Sequence, residues 1–207
     1  MYIGGIFFMS TLNIFLDYQI LDHLFRIENK IYTGKYELAL TELRKNAEKQ
    51  VVNIWMSEIT EVEMIHGENN SQINEDKRCL VRTKDQKKLS IAKTMNIKWL
   101  TYPCSKFDDN YSLLDVSMRF SGPKWNEANR FEEWLLTIEG VSPGDARQVV
   151  SCIYGSDVNA LDKKPVIEWF LTEDSALCSA LINVMSKSKI SEFSQMKIGS
   201  VSEFMNK

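Results

Sequence analysis

Asn13-Ile-Phe-Leu-Asp-Tyr-Gln-Ile20 is a short apolar run broken by a single carboxylate, Asp17, and followed at once by a helix-like segment. A charge at the end of a buried strand costs free energy unless it is paired or binds a metal. In open α/β sheets, ligands gather beyond the carboxyl ends of the strands, so Asp17 stands where chemistry usually sits. A local explanation competes: an Asp just before a helix caps it through its side-chain oxygen.

The chain alternates such runs with helical spacing. Leu21, Leu24, Phe25 and Ile27 repeat at helical intervals, Gly34 punctuates, and 36–50 reads as a second helix with Leu38, Leu40 and Leu43 inside. Val51-Val-Asn-Ile-Trp-Met56 returns to a strand pattern. Thr60 is then the expected N-cap of a short helix carrying Glu61 and Glu63 in its first turn and closed by Gly67. Ile97 to Tyr102 gives a third strand, stopped by Pro103. The stretch 104–125, with a Gly122-Pro123 turn signal, reads as a loop-rich insertion that shapes a substrate groove.

Helical spacing resumes over 126–139 with Phe131, Trp134, Leu135 and Ile138, and Gly140 is the expected C-cap. Ser142-Pro-Gly-Asp-Ala146 opens another helix that buries Val149, Val150, Cys152 and Ile153. Val166 to Leu171 is a fourth strand, ending in Thr172-Glu-Asp174 before a further helix. The tail, 197–204, adds an edge strand or a final turn. Strands separated by helical segments argue for a parallel sheet with crossover helices. With 207 residues and no repeat or linker, the expectation is one α/β domain over 1–207, extended in its middle over 73–125.

Net charge is −3, so global charge announces neither nucleic acid nor an anionic membrane. Locally, Lys77, Arg78, Arg82, Lys84, Lys87, Lys88 and Lys93 outnumber Glu75, Asp76 and Asp85, a run that tracks a phosphate backbone or is simply a solvated helix face. Cys79, Cys104, Cys152 and Cys178 show no CxxC spacing and read as reduced thiols of a cytoplasmic protein. With His23 and His66 as the only histidines, a Cys/His zinc site is disfavoured. Met1 to Ser10 is apolar but lacks a basic n-region, and it is far shorter than the roughly 20 residues that span a bilayer. No membrane association is expected.

Four carboxylates, Asp17, Glu63, Asp145 and Asp174, stand after a strand or in the first turn of a helix. Capping explains any one of them. Four converging at one edge of a parallel sheet would repel unless a cation sat among them, and an all-oxygen set suits Mg²⁺ or Mn²⁺.

The segments Leu16-Asp17-Tyr-Gln-Ile-Leu21, Ser57-Glu-Ile-Thr-Glu-Val-Glu-Met-Ile-His-Gly67, Asp145-Ala146 and Phe170-Leu-Thr-Glu-Asp174 resemble the ordered motifs of PIN-domain ribonucleases, a family that includes the VapC-type toxins. The resemblance covers roughly 12–67 and 126–204. It implies a three-layer α/β/α domain with four or five parallel strands, and a metal-dependent endoribonuclease that hydrolyses RNA phosphodiesters. It also implies Asp17, Glu63, Asp145 and Asp174 as catalytic metal ligands for Mg²⁺ or Mn²⁺, the last as a ligand or an outer carboxylate. Thr172 matches a family hydroxyl near the metal. Gln19, Lys84, Lys87 and Lys88 are assigned to substrate positioning, the lysines from the basic run. The partners implied are RNA, an antitoxin or other regulatory protein, and a second copy of the chain.

The first motif departs from the family, which has Asp-Thr/Ser-Asn where this chain has Asp17-Tyr18-Gln19. That change leaves the ligands in place and puts substrate geometry in question. Alternatives are a non-cleaving module of the same fold that binds RNA or protein, and a DNA nuclease. A haloacid-dehalogenase-like phosphatase would need a second Asp at position 19, which is Gln.

Overall fold

The computed structural model describes residues 11–31, 34, 36–60, 75–103 and 125–206. Its centre is a five-stranded, all-parallel sheet of β1 (Leu12–Leu16), β2 (Val52–Ser57), β3 (Lys98–Leu100), β4 (Trp169–Leu171) and β5 (Lys197–Gly199), in the order β3-β2-β1-β4-β5. β1 is the middle strand: Ile14 lies between Ile54 and Trp169, and Leu16 pairs with Leu171.

Parallel strands covered on both faces read as unbroken apolar runs, and this sheet shows why. Ile14 and Leu16 point to one face, where they pack with Ile54, Met56 and Leu171. That layer is made by α1 (Tyr18–Glu28), α2 (Glu37–Glu48) and α3 (Glu75–Thr94), with the short α8 (Val201–Met205) beside α2. Phe15 points to the other face, stacked on Phe170 with ring centroids 5.3 Å apart. That face is covered by α4 (Trp125–Leu135), α5 (Pro143–Tyr154), α6 (Ser175–Met185) and α7 (Ser191–Gln195). The result is the expected three-layer α/β/α arrangement. Among the described residues, no helix is long and apolar enough to cross a membrane.

Several local expectations shift. Leu38 is 86% exposed, because α2 turns Leu40, Leu43 and Ala47 inward and Leu38 falls off that stripe. α4 stops at Leu135, and Gly140 supplies a left-handed turn (φ +89°) beyond it rather than the cap itself. β4 begins only at Trp169, leaving Val166 exposed. Trp134 packs its ring on Phe131 and Phe193 at the margin of the core and stays partly exposed. The tail provides both β5 and a final helix. Ile59 and Thr60 already have helical backbone, and the Ser57 hydroxyl, not that of Thr60, accepts the Ile59 N–H at 3.2 Å. The groove-shaping insertion, Glu61, Glu63 and His66 lie outside the described residues.

Candidate functional site

β1 delivers Asp17 to the carboxyl edge of the sheet. Its N–H still donates to Leu171 O at 3.0 Å, so the backbone stays tied to β4 as α1 begins at Tyr18. Asp17 occupies the N-cap position, yet its side chain makes no capping hydrogen bond. Local capping therefore does not account for this carboxylate. It is only 2% exposed, and its Oδ2 accepts a hydrogen bond from the Thr172 hydroxyl at 2.7 Å.

Its acidity reflects that setting. Burial drives the Asp17 pKa up from 3.8 to about 6. The Thr172 hydrogen bond opposes the rise, the negative charge of Asp145 adds to it, and the neighbouring N–H groups of Tyr18 and Gln19 oppose it although they fall short of a cap.

Thr172 links two acids. Its oxygen also accepts the Asp174 N–H at 3.0 Å, and Gln19 Nε2 approaches Asp174 Oδ2 at 3.4 Å. Asp174 itself caps α6, taking the N–H groups of Ala176 and Leu177 on Oδ1 at 2.8 and 3.0 Å. Asp145 is likewise engaged. Ser142 and Asp145 form a reciprocal capping box at the start of α5, with the Ser142 N–H donating to Asp145 Oδ2 at 2.9 Å. Capping thus accounts for one oxygen of Asp145 and one of Asp174.

α5 presents a polar row that sequence reasoning missed. Gln148, one turn after Asp145, accepts the Tyr18 N–H on Oε1 at 3.1 Å and so fixes the peptide that follows Asp17. Ser151, a further turn on, shares a 2.7 Å hydroxyl–hydroxyl bond with Ser57 at the end of β2. The signal was present as Asp145, Gln148 and Ser151 at spacings of three within a helix that is mainly apolar apart from Arg147. Nearby in the chain, the fully buried Thr60 hydroxyl has no hydrogen-bond partner among the described residues.

The lysines divide. Lys84 and Lys87 are exposed on α3, and Lys87 donates to Asn29 Oδ1 at 3.1 Å. Lys88 is 6% exposed and donates to Tyr18 Oη at 2.7 Å and Asp22 Oδ1 at 2.9 Å. Through these contacts Lys88 braces α1 against α3. Cys152 lies against Met196 Sδ at 3.5 Å, and burial pushes its thiol far above the ordinary range, which removes it as a nucleophile.

The donor chemistry suits a hard cation, and a like-charged neighbour beside a buried carboxylate is what such a cation would offset. However, among the described residues no three acidic, Cys or His groups gather closely enough to hold a metal ion. Asp145 is near enough for its charge to act on Asp17, while Asp174 commits one oxygen to its helix and turns the other toward Gln19. Comparison of the chain with protein-family models, with curated proteins and with solved structures returns no match.

Proposed function

We propose that the protein is a metal-dependent endoribonuclease of PIN-like type, with Asp17 at the centre of its site. The observation that carries this reading is the state of Asp17: buried, not used as a cap, held by Thr172, and beside the charge of Asp145 at the carboxyl edge of the central strand. Carboxylates placed this way favour a function over a fold-stabilising role, since desolvation alone makes Asp17 costly.

In this reading Asp17 and Asp145 hold Mg²⁺ or Mn²⁺, joined by Glu63, which follows β2 in sequence, and with Asp174 as an outer carboxylate. The ion supplies Lewis acidity at the phosphate and lowers the pKa of a bound water. Thr172 and Gln148 then have positioning roles. The first orients the Asp17 carboxylate and the second fixes the Asp17–Tyr18 peptide. Gln19 reaches toward Asp174 and lies at the same edge, where it would meet the substrate backbone. A regulatory protein of antitoxin type that covers this acidic edge, and a homodimer, belong to the same proposal.

A second reading, a non-cleaving binding module, is favoured by one observation: Asp145 and Asp174 each commit an oxygen to a helix cap. The deciding experiment incubates wild type, Asp17→Asn and Asp145→Asn with labelled structured RNA and with DNA, in Mg²⁺, Mn²⁺ or EDTA. Metal-dependent RNA cleavage lost in both variants supports the nuclease. No cleavage by wild type, together with no Mg²⁺ binding by calorimetry, selects the binding module, and cleavage of DNA alone replaces the substrate class.

A further inference from the structure

A groove of about 840 Å³ opens between α4, the carboxyl end of α5 and the segment joining α6 to α7. It is separate from the carboxylate edge. α5 begins beside Asp17 and ends in this groove, so Tyr154 stands about 14 Å along the helix from Asp145 at 1.5 Å per residue.

Two kinds of side chain line it. Trp134 and Tyr154 give it aromatic walls, with Trp134 held in place by its packing on Phe131 and Phe193. Arg130, Lys164, Lys187 and Lys189 set four cations around them against two carboxylates, Glu127 and Glu192, in a chain whose overall charge is −3. One of those carboxylates is taken up internally: Glu192 Oε1 pairs with Lys164 Nζ at 3.3 Å, and the same ammonium lies 5.6 Å from the Tyr154 ring centroid. Arg130, Lys187 and Lys189 make no ion pair with any described residue. Unpaired cations ringing fixed aromatic faces form the arrangement by which proteins hold single-stranded nucleic acid, with phosphates on the cations and bases stacked on the rings.

We propose that this groove binds a single strand of RNA, whose bases stack on Trp134 and Tyr154 while its phosphates meet Arg130, Lys187 and Lys189. The proposal rests on the nuclease reading for the choice of RNA as the polyanion. It deepens that reading by adding a second holding point on the face of α5 away from the carboxylates. Trp134 and Tyr154 both pack on Phe131 and remain partly exposed, so a strand of RNA matches the groove in charge and offers flat bases to those rings, whereas an acidic protein matches it in charge alone.

The test is fluorescence anisotropy of a fluorescein-labelled 12-residue oligouridylate in EDTA, where no metal-dependent cleavage intervenes. Lys187→Glu with Lys189→Glu is expected to weaken binding at least tenfold and to reduce the salt slope by about 1.4, from roughly 0.7 per lost phosphate contact. Tyr154→Leu is expected to cost about fivefold or more through lost stacking. Lys45→Glu with Lys49→Glu, at the end of α2 in the opposite layer, should change affinity less than twofold.

Equal losses from the α2 and groove variants would overturn the proposal, as would displacement of the RNA by polyglutamate together with an unaffected Tyr154→Leu. Competition by uridine monophosphate as effective as that by the oligomer would assign the groove to a free nucleotide and overturn the strand. Groove-dependent binding without cleavage in Mg²⁺ would sink the nuclease and keep the groove. Cleavage indifferent to the groove variants would do the reverse.

Discussion

The Thr172 hydroxyl donates to Asp17 Oδ2 across 2.7 Å and joins residues 155 positions apart in the chain. The parallel register places Leu16 opposite Leu171, so the first residue beyond each strand meets the other at the sheet edge. Each element is ordinary alone: a strand-end Asp and a strand-end Thr. Their meeting makes a buried, oriented carboxylate.

Replacing Thr172 by Val keeps the shape and removes both a donor to Asp17 and an acceptor for the Asp174 N–H. A hydrogen bond to a charged group contributes about 1.5–3 kcal/mol, and loss of that magnitude is expected in urea denaturation at pH 7. Thr172→Ser should recover most of it. A Val variant as stable as wild type would show that the bond is not holding Asp17.

Asp17 has a folded-state pKa of about 6 against an ordinary 3.8. Between those values the folded protein keeps a proton that the unfolded chain has released. Its stabilising contribution is therefore complete below about pH 3.8 and is lost as pH rises through 6. At pH 8 the loss is roughly 3 kcal/mol, at 1.36 kcal/mol per pKa unit. In EDTA, Asp17→Asn is expected to be more stable than wild type at pH 8 and no more stable at pH 4. Added Mg²⁺ should raise the melting temperature of wild type at pH 8 and leave the variant unmoved. A stability difference independent of pH would contradict the assignment of cost to ionisation.

Lys88 ties α1 to α3 through Asp22 and Tyr18. Although desolvation opposes it, these partners hold the Lys88 pKa above its ordinary value, and the same contact contributes to holding Asp22 below its own. Lys88→Met is expected to cost about 1–3 kcal/mol, less than for a fully buried pair because Asp22 remains partly solvated. In a double-mutant cycle with Asp22→Asn the losses should fall well short of additive. RNA affinity should change less than twofold, and a tenfold drop would return Lys88 to the substrate.

Gly155 closes α5 against β3. A Cβ there would collide with the carbonyl oxygens of Ser151 and Thr101, both backbone atoms that cannot swing aside. Gly155→Ala is expected to destabilise by about 1–3 kcal/mol, read from the denaturation midpoint. An unshifted midpoint would mean that α5 and β3 are not seated as described.

The strands were legible because both faces of the sheet are covered, which leaves runs such as Ile14-Phe15-Leu16 apolar throughout. Strand ends and helix starts were clear enough to set Asp17, Glu63, Asp145 and Asp174 as acids expected to converge at one edge, while Thr172 was named through the family resemblance alone. Sequence reasoning could not separate a capping acid from a binding acid, because both uses call for the same residue type at the same position. Only the geometry shows that Asp174 and Asp145 cap while Asp17 does not. The inward turn of Lys88 was hidden for another reason. Seven basic residues in one run do not reveal which of them turns inward, and its partners Tyr18 and Asp22 come from a distant helix. Gln148 and Ser151 were hidden among the apolar residues of α5, where polar side chains read as interruptions.

The order of strands also sets a timetable. β1 sits between β2 and β4, so the central strand is made well before its second neighbour. At translation rates of 5–20 residues per second, Thr172 is added roughly 8–30 s after Asp17. A nascent chain on the ribosome therefore carries its acidic residue long before it carries the hydroxyl that orients it. If the edge cuts RNA, the enzyme is born inert beside the most RNA-rich machine in the cell, and it is armed only when Thr172 and the strand before it arrive.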